Sequence, residues 1–472
     1  MKPLSIQQVR TAIGGRSLGT LADGAASVVA VCTDTRRMLP SSVFFALRGP
    51  NHDGHHHLAE AASRGAIAAV VDTPPAGHFP GLHLILVPDA RAALGKLASF
   101  VRGQMRGKVI GVAGSNGKTS TKHLIHAALS GKLRGSISPK SYNNDIGVPL
   151  SIFPADPVQD YLVLELGTNH PGEIARLSEM AEPDIGVITN IGAEHLEFLG
   201  DLMGVRRENA SIIRGMRPRG LLVINGDDPE LAGAVSGYPG KIITFGYKPE
   251  NDLFATNIRC DEHGTRFTVN DGRREVFVPL LGRHTACNAL AAIAVAQSRG
   301  LDPSIIDESL AEASGPEMRL QLQEIGDLAL LNDAYNANPN SMRAALETLR
   351  DLHPRGGRRV AVLGDMKELG RSSERYHREI GQFVVNCGVD LLVCIGEQAF
   401  LLGDEAVARG FDAAKVRRAD DSASACNLVV NELQPGDLVL LKASRSMELE
   451  RVAQAVRLHA MARVEPRRKA AG

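Results

Sequence analysis

The chain has no surplus of either charge. Lys+Arg and Asp+Glu both number 53, giving a formal net charge of 0. No basic stripe interleaves with aromatics, so the footprint of a nucleic-acid binder is missing. The short basic stretch from Arg463 to Lys469 reads as a solvated, disordered end rather than a binding arm. Cysteine is sparse and scattered, at positions 32, 260, 287, 387, 394 and 426, without a CxxC pair. That excludes a zinc ribbon and a redox motif. It is also too thin for the disulfide framework of a small secreted domain, so a reducing cytoplasm is the expected setting. No apolar run reaches the roughly 18 residues that span a bilayer. The opening MKPLSIQQVRTAIGG reads as an amphipathic helix without a signal-peptide apolar core. Internal repeats, low-complexity segments and an obvious heptad are absent, which leaves a monomer as the default. A Ser/His/Asp or Cys/His signature of nucleophilic catalysis is absent too.

What is present is an ordinary globular balance, 44% hydrophobic and 22% charged over 472 residues, enough for about three domains. Short Val/Ile/Leu runs (VIGVAG, YLVLELG, IGVITNIG, GLLVING, RRVAVLGD, LLVCIGE, DLVLLKAS) each end in a polar or small residue and precede helical patterns. Such strands belong to parallel sheets covered on both faces. Ligands of these sheets bind beyond the strand carboxyl ends. Breaks fall near 102–108 and 314–316. The expected fold is therefore α/β in three domains. Residues 1–105 form a small mixed α/β domain, 106–314 a central parallel-sheet ATPase domain with a phosphate loop, and 315–472 a Rossmann-like doubly wound domain.

The strand KVIGVAG runs into Gly114-Ser115-Asn116-Gly117-Lys118-Thr119-Ser120 and then a helical pattern. Glycines let backbone amides approach phosphate, and the helix N-terminus adds partial positive charge. Lys118 is expected to reach the terminal phosphates and the Thr119 hydroxyl to hold Mg²⁺. The loop is shortened, because Val112 stands where the usual pattern has its first glycine. Read alone, it would fit a GTPase, a kinase or a transport ATPase equally. The next apolar run, YLVLELG, delivers Glu165, a hard oxygen donor suited to Mg²⁺. IGVITNIG leads into Ala193-Glu194-His195-Leu196-Glu197, and a lone histidine there reads as a partly buried residue or a metal ligand.

GSNGKTSTK, NNDIGVPLSI, LELGTNHPGEI and VITNIGAEHLE together resemble the central domain of the Mur ligase family. LLGRHTACNALAAIAVA is similar to its adenine-side motif, with Gly282, His284 and Asn288. NDAYNANPNSMRAAL and VAVLGDMKELG resemble the branch that adds D-alanyl-D-alanine, and TDTRRMLPSSVFFALRGPNHDGH resembles that branch's UDP-binding domain. The resemblance implies an ATP-dependent ligase using Mg²⁺. Its partners would be UDP-N-acetylmuramoyl-tripeptide and D-alanyl-D-alanine, joined through an acyl phosphate. Catalysis would be positioning and charge neutralisation. By resemblance the catalytic set is Lys118, His195, Arg319 and Asp333. Thr119, Glu165 and His195 sit at the metal. Asn288, Arg319 and Asn336 serve the nucleotide. Thr35 and Arg36 face the uridine nucleotide, and Asn143 and Asn144 the muramoyl peptide. Asn338, Lys442 and Arg445 face the dipeptide.

Several of these have plainer readings. Tyr335 to Pro339 also fits a turn with an Asn cap and a Pro helix start. Arg319 equally suits a surface charge, and the Lys442–Arg445 strand end is one of many. His52, His55, His56 and His57 lack zinc spacing and read as a polar loop. The chain also departs from the family. Residues 204–215 hold no lysine for carbamylation; Asn209 occupies the place, and Glu208 is one candidate substitute carboxylate. Thr285 and Ala443 replace an expected Asn and Gly. Competing functions are a sister or folylpolyglutamate-type ligase, a P-loop kinase and a non-catalytic nucleotide-binding protein.

Overall fold

The computed structural model describes residues 1–19, 26–354 and 356–470, and the side chains of 464–470 lie outside the described residues, with most of the basic stretch. The predicted N-terminal helix is Ile6–Ile13. The Ser5 hydroxyl accepts from the Gln8 amide at 3.1 Å and the Gln8 side chain accepts from the Ser5 amide at 2.8 Å, a reciprocal cap. Gly14 ends the helix at φ 67°.

Three main sheets follow one another along the chain. The first holds β1 (Arg16–Leu18), β2 (Ala30–Cys32), β3 (Ser42–Phe45), β4 (Ala66–Val71) and β5 (His83–Leu86) in the order β1-β5-β4-β3-β2. Only β1 runs antiparallel to its neighbour.

The central sheet contains β6 (Lys108–Ala113), β7 (Gly135–Ile137), β8 (Tyr161–Glu165), β9 (Ile185–Ile188), β10 (Leu221–Asn225) and β11 (Lys241–Gly246). It continues through β12 (Leu253–Asp261), β13 (Gly264–Val269) and β14 (Glu275–Val278). The order is β7-β8-β6-β9-β10-β11-β12-β13-β14. Strands β6 and β8 are buried on both faces apart from the first residue of β6, which is why their sequences are continuous apolar runs. The expectation of a wholly parallel sheet needs correction: β12–β13 and β13–β14 pair antiparallel. Strand β12 buries only Phe254 and Ala255 and then alternates half-buried and exposed residues, so a search for continuous apolar runs passes over it.

The last sheet comprises β15 (Gln321–Ile325), β16 (Leu328–Asn332), β17 (Arg359–Gly364), β18 (Leu391–Ile395), β19 (Val416–Ala419) and β20 (Leu438–Lys442). Its order is β15-β16-β20-β17-β18-β19, and only β15 is antiparallel. The helix Glu450–Ala470 closes the chain and carries the backbone of the basic stretch, which was expected to be disordered. Among the described residues no helix is long and apolar enough to cross a membrane.

The sheets are joined by packing. The fully buried Arg102 ends the helix Ala90–Arg102 and donates to the Ala181 carbonyl (2.8 Å), the Glu182 carbonyl (2.9 Å) and Asp184 (2.8 Å). On the other side, Ala193, Leu196, Leu199 and Val205 share one apolar cluster with Leu320, Leu331, Ala337 and Met342. The polar ends of β6, β8 and β9 thereby face the polar ends of β16 and β20.

Candidate active site

The phosphate loop leaves β6 with its first amides already used. The Gly114 amide donates to Asn209 Oδ1 at 2.7 Å, the Ser115 amide to the Asn190 carbonyl at 2.9 Å, and the Asn116 amide to Asn190 Oδ1 at 3.0 Å. The loop is thus braced before any anion arrives. Gly117, at φ 79°, then caps the helix Lys118–Ser130 without a side-chain cap. Its first amides lack intrahelical acceptors, the condition for binding phosphate. A Cβ on Gly117 would lie 2.6 Å from Asn288 Oδ1, so a larger residue has neither the backbone angle nor the room. Asn288, expected near adenine, therefore packs beneath the loop. Lys118 folds back, donating to the carbonyls of Gly114 (2.5 Å) and Ser115 (3.2 Å). Ser120 lines the cleft beside it.

Glu165 ends β8 almost fully buried. It accepts from Thr119 Oγ1 at 2.9 Å and Asn143 Nδ2 at 2.9 Å, with Lys122 Nζ 3.6 Å away. Lys122 is itself buried and donates to the carbonyls of Ser138 (2.8 Å) and Lys140 (2.5 Å). Burial pulls its ammonium below the usual lysine range, and Glu165 opposes that. Thr119 and Glu165 are therefore brought together as expected. His195 is held differently: Nδ1 contacts the Glu368 carboxylate, and Nε2 lies 3.8 Å from Glu194 Oε2. Among the described residues no three His, Cys, Asp or Glu side chains cluster as a self-sufficient metal site. The oxygen donors suit Mg²⁺, which completes its shell with water and phosphate oxygens. Glu194 supports this fit. It is buried, its Oε1 has no hydrogen-bond partner, and burial pushes its carboxyl up against the pull of Lys118 and His195.

The idea that Glu208 replaces the missing carbamylated lysine is overturned. Glu208 Oε2 accepts from the Gly172 amide (2.6 Å), and Oε1 accepts from the Ile174 amide (2.8 Å) and Thr168 Oγ1 (3.2 Å). Its charge is spent on the N-terminus of the helix Glu173–Ala181. Asn209 sits deeper still, 1% exposed, bracing Gly114 and donating to the Val205 carbonyl at 2.9 Å.

The facing wall is built around Asp333. Its Oδ1 accepts from the Leu320 amide at 3.1 Å, and its Oδ2 accepts from Lys442 Nζ at 2.5 Å. Lys442 also donates to the Asn336 carbonyl at 3.0 Å. Burial lowers the Lys442 ammonium, and Asp333 restores part of it. Expected against a substrate carboxylate, Lys442 is instead committed to the protein. Arg319 lies between Met318 and Leu320, both left-handed at φ 55° and 48°, and stacks over the Tyr335 ring at 4.3 Å. Asn338 is the helix cap that its motif suggests and also bridges the cleft. Its Oδ1 caps the helix Pro339–Asp351, accepting from Ser341 at 2.9 Å, while its Nδ2 donates to Asn116 Oδ1 at 2.8 Å across the cleft. Asn336 Oδ1 accepts from the Arg445 amide at 3.4 Å, and the Arg445 side chain pairs with Glu450 at 2.8 Å.

The residues expected at phosphate, metal, peptide and dipeptide, Gly114 and Glu208 excepted, line one cleft of about 1190 Å³, which takes in Asn144 and, from the N-terminal unit, Arg91. Lys122, Asn209, Met318 and Glu450 also lie outside its lining. Thr35 and Arg36 do not line it. Thr35 Oγ1 bonds Glu60 at 2.9 Å, and Arg36 is exposed and pairs with Asp34 at 2.8 Å. His52 stacks on His57 at 5.0 Å, and His55 bonds Asp53 at 2.7 Å, the polar loop that the sequence suggests. Sequence reasoning missed Lys122, Asn190, Glu194, Glu368 and Arg91. Glu194 and Glu368 stood inside quoted motifs, whereas Arg91 gave no signal.

The family profile of the Mur ligase middle domain matches residues 112–296, and that of the Mur ligase, glutamate ligase domain matches residues 318–445. The chain is 35% identical to a Bacillus subtilis protein named UDP-N-acetylmuramoyl-tripeptide--D-alanyl-D-alanine ligase, over 90% of this chain and 92% of that one. A crystal structure of MurF from Acinetobacter baumannii superposes with a TM-score of 0.87 at 30% identity, covering 97% of this chain and 99% of the other. A MurF ligase from Thermotoga maritima in complex with ADP superposes at 0.81 with 28% identity, covering 92% and 98%. Two matched domains in order, near-complete coverage by a relative, and a phosphate loop facing a second α/β sheet lead to one conclusion: the chain belongs to the Mur ligase family.

Proposed function

We propose that this protein joins D-alanyl-D-alanine to UDP-N-acetylmuramoyl-tripeptide with ATP, giving the pentapeptide, ADP and phosphate in peptidoglycan precursor synthesis. One observation supports this above the others: a single cleft opens the phosphate loop, a buried Thr119–Glu165 pair and the Arg319–Asp333–Lys442 wall to one another. A nucleotide switch needs the first part alone and a kinase adds one acceptor; a ligase must hold a third reactant. Division of labour among 1–105, 106–314 and 315–472 belongs to the same reading, for uridine nucleotide, ATP and dipeptide respectively.

In this mechanism the amides after Gly117 and the Lys118 ammonium hold the phosphates of ATP. Thr119 and Glu165 hold Mg²⁺, which when bound neutralises phosphate charge and orients the terminal phosphoryl group. His195 completes that side of the site. The tripeptide carboxylate attacks the terminal phosphorus of ATP and expels ADP, giving an acyl phosphate, while Arg319 and Lys118 offset the negative charge that develops; the dipeptide amine then attacks the acyl carbon, loses a proton and expels phosphate. Asp333 and Lys442 position Arg319 and Asn336 rather than touching the reacting atoms. Asn143 and Asn144 face the peptide end of the acceptor, Asn338 and Arg445 the dipeptide, and Thr35 and Arg36 the distant uridine nucleotide. Closure excludes water from the acyl phosphate. A cytoplasmic setting fits the nucleotide substrates and the six free thiols among the described residues.

The test is phosphate release from ATP given UDP-N-acetylmuramoyl-tripeptide, with and without D-alanyl-D-alanine. Release that needs both, with a product mass gain of the dipeptide less water, is the expected result. Release indifferent to the dipeptide refutes the assignment and points to a sister ligase.

A further inference from the structure

His195 stands within a row of polar groups that crosses between two sheets. Its Nδ1 meets the Glu368 carboxylate, its Nε2 lies 3.8 Å from Glu194 Oε2, and Glu194 lies 3.8 Å from Lys118 Nζ. Glu368 comes from the loop after β17, 173 positions along the chain. That loop is anchored on its own sheet. Lys367 pairs with Asp365 at 2.8 Å and donates its amide to Ser444 Oγ at 2.8 Å, and Asp365 Oδ1 accepts from the Ala399 amide at 2.8 Å. The histidine is equally fixed to the central sheet, capping the short helix Leu196–Leu199 at φ 50°. The two loops interlock. The Glu368 carbonyl accepts from the Glu197 amide at 3.1 Å, and Gly370 approaches so closely that a Cβ there would lie 3.1 Å from Glu197 Cα. Glu368 and Gly370 are both left-handed, at φ 62° and 53°. Non-glycine residues hold that conformation only where their surroundings dictate it.

A carboxylate on one imidazole nitrogen decides what the other can do. With the proton on Nδ1 facing Glu368, Nε2 presents its lone pair to the Glu194–Lys118 side of the cleft. Such a partner also fixes the ring plane. Because the partner is carried by the other sheet, the histidine takes this tautomer and orientation only when the two sheets stand as they do here.

We propose that Glu368 is a positioning residue that couples domain closure to the competence of His195. The phosphate side of the site is complete only once the dipeptide-side domain has closed over it. This rests on the ligase reading and extends it with an order of events: ATP is not committed before the dipeptide side is in place.

The experiment compares wild type with Glu368→Ala and Glu368→Gln. Its readouts are kcat and KM for ATP, thermal midpoints, and ¹⁵N chemical shifts of histidine-labelled protein, with His195 assigned by its loss in His195→Gln. Glu368→Ala is expected to lower kcat about 10- to 100-fold. KM for ATP should stay within about two-fold, and the His195 signals should move from the Nδ1-protonated pattern towards a mixture. Glu368→Gln retains a carbonyl acceptor and should recover part of both. Unchanged kcat with unmoved His195 shifts overturns the proposal. So does a loss of kcat that tracks the thermal midpoint while the shifts stay put, because that is a merely structural role. If wild type makes no amide, the ligase reading fails; the nitrogen shifts still report whether Glu368 sets the tautomer.

Discussion

On the central-sheet side of the cleft the donors are chiefly the backbone amides that start the helix after Gly117, with Lys118 beside them. On the opposite side they are long side chains held by a buried ion pair. The amides after Gly117 need no partner to stay in place, because Asn209 and Asn190 brace the loop behind them. Arg319 depends on two left-handed neighbours, on Asp333 holding the Leu320 amide, and on Lys442 holding Asp333. The first wall can be written as a short contiguous motif. The second is assembled from segments more than a hundred residues apart, and it fails as a unit when one member is lost.

The largest expected effect tests the first wall. Lys118→Ala should lower kcat/KM by about 10³-fold, measured as phosphate release, while the thermal midpoint stays near wild type. A parallel collapse of stability would place Lys118 in the scaffold and dissolve the contrast. The second wall should behave in the opposite way. Asp333→Ala leaves Lys442 buried and unpaired, at a cost of about 3–5 kcal/mol in denaturant unfolding. Replacing both, Asp333→Asn with Lys442→Met, should restore most of the stability without restoring activity. Additive losses in the double variant would show that the pair does not act as a unit.

Smaller effects probe the bracing. Asn209→Ala strands the Gly114 amide and should cost about 1–3 kcal/mol of stability, with a raised KM for ATP. Bicarbonate should not stimulate the wild-type enzyme, because Asn209 has no amine to carbamylate. Glu208→Gln should lower the thermal midpoint and leave the Mg²⁺ titration unmoved, since both its oxygens cap a helix. A shifted Mg²⁺ requirement would return Glu208 to the metal.

The smallest expected effect is acidic. Burial, with Lys122 beside it, lowers His123 to about 4, below the ordinary histidine value, and burial lowers His377 as well. Both are neutral in the folded chain, while the unfolded chain binds their protons first as pH falls. Their contribution is complete above the ordinary histidine value of about 6.5 and is lost as pH falls below it, for His123 through about 4. His377→Gln should flatten that part of the stability profile, and an unchanged slope would exclude it.

How much of this was legible follows the same division. Gly114 to Ser120 could be read directly, because a strand, a glycine turn and a helix start are consecutive in sequence. Glu165 was legible as a polar strand end. Asn338 was read two ways; the cap is there, since its oxygen accepts from Ser341, while its nitrogen reaches Asn116 across the cleft. Lys442 was assigned to the dipeptide by resemblance alone, since nothing near that strand end in sequence names its partner 109 positions away. Glu208 was one candidate carboxylate for the same reason: the amides that donate to it lie 34 to 36 residues upstream. The antiparallel extension β12–β14 was missed because a half-exposed strand alternates instead of forming an apolar run.

By itself the sequence determined the alternation of buried strands and helices, the phosphate loop and the family. These are set by local periodicity, backbone freedom at glycine and contiguous motifs. Only the tertiary structure decided which charges are spent on the protein and which remain for substrate. Glu208, Lys442 and Asn209 are committed, whereas Glu194 keeps an oxygen free and His195 is aimed by Glu368. A charge buried in low dielectric takes whatever partner the fold brings within about 3 Å, and that distance is set by packing between elements far apart in the chain.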